Sequence, residues 1–439
     1  MHIDNNYCPG ASVKSGCHNP IKNSKKDQVA GRLGTPGARC DAPAELAQQT
    51  LDWLVGEWRD KIDFVIWTGD NSRHDWDKTR KRKMQNVLDL NQQATDMMID
   101  AFWPHVPIIP TLGNNDVFPH NQIGGKDQSS ELLDFYEELW RAWIPQEQRE
   151  TFRSGGYFAV DVVPGIRVLS LNSMYFYKRN DLVQSCAHKQ SPAHKHLQWY
   201  RAQLLQARKD RVKVYVIGHV PPSRDYRATC LDDYLRISLR YSDVIMGHFY
   251  GHLNMDHFLL YGSAQDKSFG MGVSSMDDDS DDDDSQGVHV TRNIQKYVDW
   301  LHNMYKSLDP LDDRQAPPVV QPPLLAVQVS PSVLPRFYPT VRIYQYEIGN
   351  KHEHKRPYGT LLGYSQFYSN ITKWENDLSP IEYTLEYTTQ DAYGMRDLSP
   401  ASFLELAKRM VSDSDKIGKK IWKDYVRNMF VQTANDIFS

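Results

Sequence analysis

An α/β layered fold is what this sequence predicts, and three observations carry the expectation. Short apolar runs alternate with longer stretches of helical periodicity, the alternation that builds a sheet covered by helices. Several of the apolar runs end in a glycine followed by Asp, Asn or His, which is how strands of such sheets deliver side chains to a crevice beyond their carboxyl ends. The 439 residues are 40% hydrophobic and 11% aromatic, enough apolar material for a large core.

Taken in order, the chain opens with a loop-rich segment to about Asp41 that carries Cys8, Cys17 and Cys40. Glu45–Trp58 reads as an amphipathic helix, because Leu46, Leu51, Leu54 and Trp58 recur at near-helical spacing. The run Ile62–Trp67 reads as a buried strand and Met84–Trp103 as a long helix. Strands are predicted at Val106–Leu112, Tyr157–Val163, Ile166–Leu171, Val212–Ile217 and Asp243–Met246, with a helix at Gln198–Arg208. Ser274–Gln286 is of low complexity; like charges repel there and bury nothing, so disorder is expected. Ile294–Leu308 is helical in pattern and Ala316–Pro323 is proline-rich. Strands are expected again at Pro339–Ile348 and Ile381–Tyr387, then helix from Pro400 to Phe438. The expected organisation is a core over 1–270, an acidic and Pro-rich, largely disordered insertion over 271–323, and a C-terminal part over 324–439 packing on the same domain.

Bulk properties narrow the class. Mean hydropathy is −0.61, and no run approaches the ~18 apolar residues of a membrane span. The formal charge of −4 misleads: without the seven aspartates Asp277–Asp279 and Asp281–Asp284 the remainder stands at +3. None of the five cysteines forms a Cys-x-x-Cys pair, which argues against a zinc ribbon or a thioredoxin motif. Buried thiols and disulfides both remain open from spacing alone. The sequon Asn370-Ile371-Thr372 leans toward a secretory compartment.

The chemistry sits at the strand ends. Trp67-Thr68-Gly69-Asp70-Asn71 closes the first, and Leu112-Gly113-Asn114-Asn115-Asp116 the second. Ile217-Gly218-His219-Val220 closes the third, and Gly247-His248-Phe249-Tyr250-Gly251-His252-Leu253-Asn254 the fourth. A glycine before each ligand lets the backbone turn sharply near an ion. Asp, Asn and His form a mixed O/N donor set that suits Mn, Fe, Zn or Mg and not a thiolate site. Singly, Gly-Asp is a common turn and Gly-His is more often structural; the ordered set of four is the signal.

That order resembles the calcineurin-like metallophosphoesterases, whose signature runs Asp-x-His, Gly-Asp, Gly-Asn-His-Glu/Asp, Gly-His and Gly-His-x-His. Asp63–Asp70, Arg73-His74-Asp75, Gly113–Asp116 and Gly251–Phe258 resemble most closely the fungal vacuolar endopolyphosphatases, relatives of the acid sphingomyelinase-type enzymes. The resemblance extends to Cys17-His18, Cys40-Asp41, Tyr338-Pro339-Thr340 and the C-terminal region. It implies a β-sandwich flanked by helices, in αββα layers. It implies two divalent metals (Mn, Co, Mg, Fe or Zn), with Asp70 bridging, Asn114, His219 and His252 on the second, and His2 and Asn254 on the first. It also implies disulfides Cys17–Cys40 and Cys186–Cys230, a vacuolar location and inorganic polyphosphate as substrate, with no nucleic-acid partner.

Three departures qualify it. His2 holds the His place of Asp-x-His, so its Asp would fall just before Met1; Asp4 is a poor substitute. Asn115 replaces a catalytic histidine; its amide orients a phosphoryl oxygen but donates no proton, which leaves His74 as the candidate acid against a bland loop-histidine reading. Asn254 replaces the second His of Gly-His-x-His and favours Mg, Mn or Co over zinc in the first site. A phosphate leaving group, with a second pKa of about 6, needs little protonation, so a site short of an imidazole fits phosphoanhydrides better than esters. Arg73, Lys78 and Arg80, followed by Lys81, Arg82 and Lys83, are the expected polyanion contacts, with a solvated helix start as the bland alternative for the lysines. Asp256 and His257 are candidates to orient the ligands. The competing expectations are a sphingomyelinase-like phosphodiesterase and a metal-poor pseudoenzyme that binds polyanions.

Overall fold

The computed structural model describes residues 1–19, 28–262, 288–307, 324–349, 356–376, 378–412 and 416–433. Helices α1 (Ala44–Glu57) and α2 (Met84–Phe102) flank strand β1 (Val65–Trp67), which pairs in parallel with β2 (Ile108–Pro110). Helices α3 (Lys126–Leu139) and α4 (Arg149–Gly155) lead into the hairpin β3 (Phe158–Val163) and β4 (Ile166–Ser170). Then α5 (Pro192–Asp210), β5 (Lys213–Ile217), α6 (Ala228–Arg240) and β6 (Ile245–Tyr250) alternate before β7 (His257–Tyr261). The C-terminal third adds α7 (Val288–Lys306), β8 (Leu325–Val329), β9 (Thr340–Tyr346), β10 (Leu361–Tyr368), β11 (Thr384–Thr388), α8 (Thr389–Tyr393), α9 (Pro400–Val411) and α10 (Lys416–Met429).

Strands β3-β4-β5-β6-β8-β7 form one six-stranded sheet, parallel from β4 through β8. The alternation of side chains along β6 shows what lies on each face. Phe249 packs edge-on against Tyr344 of β9, ring centres 5.0 Å apart, while Tyr215 of β5 lies 6.3 Å from Phe64 beside β1. His248 and Tyr250 point the other way, and both meet the Tyr234 hydroxyl of α6, at 2.7 and 2.8 Å. The β1-β2 pair and the β9-β10-β11 sheet therefore share one face of the large sheet, and α6, with α5 stacked on it through Tyr200 and Tyr234, covers the other. This is the layered sandwich expected. Two disulfides join Cys17 to Cys40 and Cys186 to Cys230, and Cys8 is free.

Some expectations change. Strand β6 runs to Tyr250, so His248 lies inside a strand rather than in a loop beyond it. Within the expected insertion, α7 is packed: Ile294, Tyr297, Leu301 and Tyr305 are buried along one helical stripe. Ser274–Gln286, Ala316–Pro323 and the last residues to Phe438 lie outside the described residues. The predicted C-terminal helix is two helices, α9 and α10.

Candidate metal centre

Four loops carry the site, and their backbones are bent to do so. His2, Asp70, His252 and Asn254 have φ of 49°, 58°, 68° and 53°. Side chains other than glycine rarely adopt the left-handed region, and its cost is tolerated mainly where surrounding structure fixes a functional geometry. Gly69, at φ 86°, allows the loop after β1 to meet the loop after β2, since a Cβ there would lie 2.7 Å from the Gly113 nitrogen. Asp116 ties the two loops together. Its buried carboxylate accepts from the amides of Asp70 and Asn71 at 2.7 Å, Gly113 at 3.0 Å and Ser72 at 3.2 Å.

Asp70 is thereby aimed at His219. The Nδ1 of His219 donates to the Thr68 carbonyl at 2.7 Å, so the lone pair of a neutral ring sits on Nε2. That nitrogen lies 2.9 Å from Asn114 Oδ1 and 3.1 Å from Asp70 Oδ2. His252 Nδ1 approaches the same Asn114 oxygen at 2.9 Å. Electron-rich atoms meeting at one buried point require positive charge among them. Burial opposes protonation of His219, yet the Asp70 carboxylate draws its pKa up. Burial also disfavours the Asp70 carboxylate, but His219, His2 and His74 hold its pKa well below the ordinary range. Donor atoms of Asp70, His219 and His252 all lie within 4.8 Å of one another, and with Asn114 they fit a divalent cation.

His2 stands on the other side of Asp70, its Nε2 3.6 Å from Oδ2. Burial first, then His74, holds the His2 pKa well below its usual value, so the ring is neutral and ready to ligate. Its Nδ1 is buried without a hydrogen-bond partner among the described residues. Asn254 lines the same cavity wall as His2, Asp70, His219 and His252. His2, Asp41 and His74 make a second group of ligand atoms within 4.8 Å.

The two residues expected to do proton and phosphoryl work have different settings. Asn115 is wholly buried and serves Asp70: its amide N–H donates to Oδ1 at 2.8 Å and its side-chain nitrogen to Oδ2 at 3.0 Å. His74 is stacked between His2 and Trp76, with ring centres 4.4 and 4.0 Å away. Asp41 grips it twice, accepting from the backbone N–H and from Nδ1, both at 2.7 Å. Asp41 thereby fixes the orientation of the His74 ring through Nδ1. Sequence reasoning passed over Asp41, whose only local signal was its place next to Cys40. It also missed Ser173, whose hydroxyl accepts from the amides of His219 and Val220 at 3.0 and 2.9 Å and fixes that loop.

The residues expected as cationic contacts have different settings. The Arg73 guanidinium is buried and turned inward, 3.7 Å from Asp4 and donating to the carbonyls of His74 and Arg80. Lys78 and Arg80 are exposed but line neither the cavity nor the small cleft over the site. That cleft is lined by His74, Trp76, Asn114, His120, Tyr177 and Arg179. Arg179 stands in a loop with no flanking motif, which is why spacing did not find it. His248 and His257 are neutral core histidines: burial lowers both to about 3, and each meets a tyrosine hydroxyl at 2.7 Å. Asp256 is paired with Arg342 of β9 at 2.6 Å.

Comparison with known proteins agrees with this geometry. Residues 37–254 match the calcineurin-like phosphoesterase family and 320–438 the acid sphingomyelin phosphodiesterase C-terminal region. The chain is 31% identical over 393 residues to the endopolyphosphatase of Cryptococcus neoformans, which covers 80% of this chain and 58% of that protein. It is 34% identical over 385 residues to that of Kluyveromyces lactis, covering 79% and 54%. With the Saccharomyces cerevisiae endopolyphosphatase the identity is 39% over 272 residues, covering 59% and 40%. The chain thus spans about half the length of the curated relatives it matches. With these candidate metal donors at the strand ends, the chain is similar over residues 37–254 to the calcineurin-like phosphoesterases.

Proposed function

We propose that this chain is an endopolyphosphatase, a hydrolase that cuts phosphoanhydride bonds inside inorganic polyphosphate with two divalent cations sharing Asp70. The meeting of Asp70, Asn114, His219 and His252 at one point carries this reading. These four would hold one cation, and His2, Asp70 and Asn254 the other. When bound, such cations supply an activated water and neutralise phosphoryl charge. The protein's own part is positional. Asn115 fixes both carboxylate oxygens of Asp70, and Ser173 fixes the His219 loop. Asp41 orients His74, which lines the cleft and would protonate the departing oxygen. Arg179 is placed at the cleft to meet a neighbouring phosphate. The relatives' name supports polyphosphate.

The test is long-chain polyphosphate with Mn, Co, Mg, Fe or Zn supplied in turn, and products sized on a gel. Internal cutting shortens the chains before free phosphate accumulates; release of phosphate from intact long chains would sink the endo assignment. A diesterase is the second reading. The match to the acid sphingomyelin phosphodiesterase C-terminal region and the Asp41–His74 pair favour it. Turnover of a chromogenic diester without polyphosphate cleavage would move it to first place. A vacuolar setting is supported by the two disulfides and by Asn370, half-buried before the short turn Ile371–Trp374; loss of mass on deglycosylation of the secreted chain would test it.

A further inference from the structure

A carboxamide has two ends of nearly the same shape, and only the oxygen end can meet a cation. Asn114 holds that oxygen at the inner point of the site, 2.9 Å from His219 Nε2 and 2.9 Å from His252 Nδ1. The inner point alone does not choose this end. His219 Nε2 carries a lone pair, because Nδ1 donates to the Thr68 carbonyl, and an amide N–H turned inward would be received by it. What makes the choice lies on the outer side. The side-chain nitrogen of Asn114 is 2.9 Å from His120 Nε2. An amide nitrogen only donates, so the His120 ring accepts there and carries its proton on Nδ1.

The backbone is shaped to bring this ring back over Asn114. The Asn121 amide donates to the Asn114 carbonyl at 3.2 Å and the Gln122 amide to the Pro119 carbonyl at 2.9 Å, so the chain doubles back within one short loop. Asn121 takes φ 67°, a left-handed backbone that asparagine visits more readily than most residues. Beyond the turn, Gln122 grips the neighbouring loop: its Nε2 donates to the Arg179 carbonyl and its Oε1 accepts from the Asp181 amide, both at 2.8 Å. Asn180 donates to the Ile123 carbonyl at 2.9 Å. His120 is thereby fixed from both sides, half-buried in the wall of the small cleft over the site. We propose that His120 is a positioning residue for the metal centre, selecting the oxygen end of Asn114 for the cation that Asp70, Asn114, His219 and His252 would hold. The inference rests on the two-cation reading of the site and not on the identity of the substrate. Without this ring the Asn114 N–H is able to satisfy His219 Nε2, and the amide has to be turned before a cation can bind. The loss falls on one cation, because the donors of the other, His2, Asp70 and Asn254, do not include Asn114.

The test compares the parent chain with His120→Phe, which keeps a ring of similar size without an acceptor, and with His120→Gln, whose Oε1 lies the same number of bonds from Cα as the lost Nε2. Mn or Co is titrated into each folded apoprotein by calorimetry, and the visible absorption of the Co forms is recorded. His120→Phe should weaken one binding event about 10–100-fold, the usual cost of losing a partner that orients a ligand, and alter the Co spectrum. The other binding event and the thermal midpoint of the apoprotein should not change. His120→Gln should restore most of the lost affinity. Unchanged affinity in His120→Phe overturns the proposal, and so does a His120→Gln variant as weak as His120→Phe. Equal losses at both events with a lowered apoprotein midpoint make the ring a structural support and overturn it too. A parent chain that takes up no cation would sink the two-cation reading and this inference with it, whereas uptake that is indifferent to His120 sinks the inference alone. None of these readouts depends on turnover.

Discussion

A carboxylate that holds both the backbone N–H and the ring of one histidine leaves that ring a single orientation, and Asp41 does this to His74. Asp41→Asn keeps the size but breaks the match to the Nδ1 hydrogen. We expect it to lower kcat about 10–100-fold, the usual cost of losing an orienting partner, with KM and metal content little changed. His74→Gln should cost about 100-fold or more, and the double variant no more than His74→Gln alone. Steady-state kinetics on the three variants checks this; additive losses would separate Asp41 from His74. A second residue with a measurable signature is His18, whose ring bridges Asp77 at 2.8 Å and Asp4 at 2.6 Å near the Arg73 guanidinium. Burial opposes its charge, but the bonds to Asp4 and Asp77 raise its pKa above 6.5. Burial likewise opposes the Asp77 charge, while Thr79 and His18 bring its pKa down to about 2. The His18 contribution is complete below the unfolded value near 6.5 and is lost as pH rises through the raised value; that of Asp77 is complete above about 4 and is lost as pH falls toward 2. Stability from this bridge is therefore greatest from about pH 4 to 6.5. His18→Gln should remove roughly 2 kcal/mol there and flatten the pH dependence of the urea midpoint.

At the scale of elements, the loop from His252 to Asp256 is held by parts of the C-terminal third. Asp256 pairs with Arg342 of β9, accepts from the Tyr387 hydroxyl of β11, and donates its amide to the Met429 carbonyl at the end of α10. Arg342 in turn lies 4.0 Å from the centre of the Tyr364 ring. This clamp fixes the two residues of the loop with left-handed backbones, His252 and Asn254. Arg342→Met would leave the buried Asp256 without its counter-charge. We expect a loss of about 3–5 kcal/mol in unfolding free energy from denaturant titration and about 10–100-fold weaker metal uptake, read by titrating metal into the folded apoprotein. Unchanged metal affinity would reduce the clamp to a purely structural role. The loops that carry the candidate ligands were legible because Gly-Asp, Gly-Asn and Gly-His are local patterns. The clamp was not, because Asp256 and Arg342 are joined only by the fold. The setting of Arg73 was hidden for the same reason: its neighbourhood in sequence is basic and polar, but its guanidinium turns inward to Asp4.

At the scale of the molecule, the layered fold was readable from alternation, yet the way the last third enters it was not. Apolar runs as short as Leu325–Val329 carry no periodicity that assigns a partner. In the structure β8 lies between β6 and β7, parallel to one and antiparallel to the other, so a strand from beyond the acidic run completes the middle of the main sheet. Among the described residues, the two matched regions, 37–254 and 320–438, therefore share one sheet through β8. Ending the chain after Gly262 would expose the ladder edges of β6 and β7 together and uncover Phe258, which α7 and α10 now pack through Tyr305 and Tyr425. Open apolar edges associate rather than stay in solution. We expect the truncated chain to be aggregated or to melt without a cooperative transition in circular dichroism, and co-expression of residues 288–439 as a separate polypeptide to restore solubility by supplying β8. A truncated chain that is monomeric and unfolds cooperatively would show that the first region folds alone and that β8 is an addition to a finished sheet.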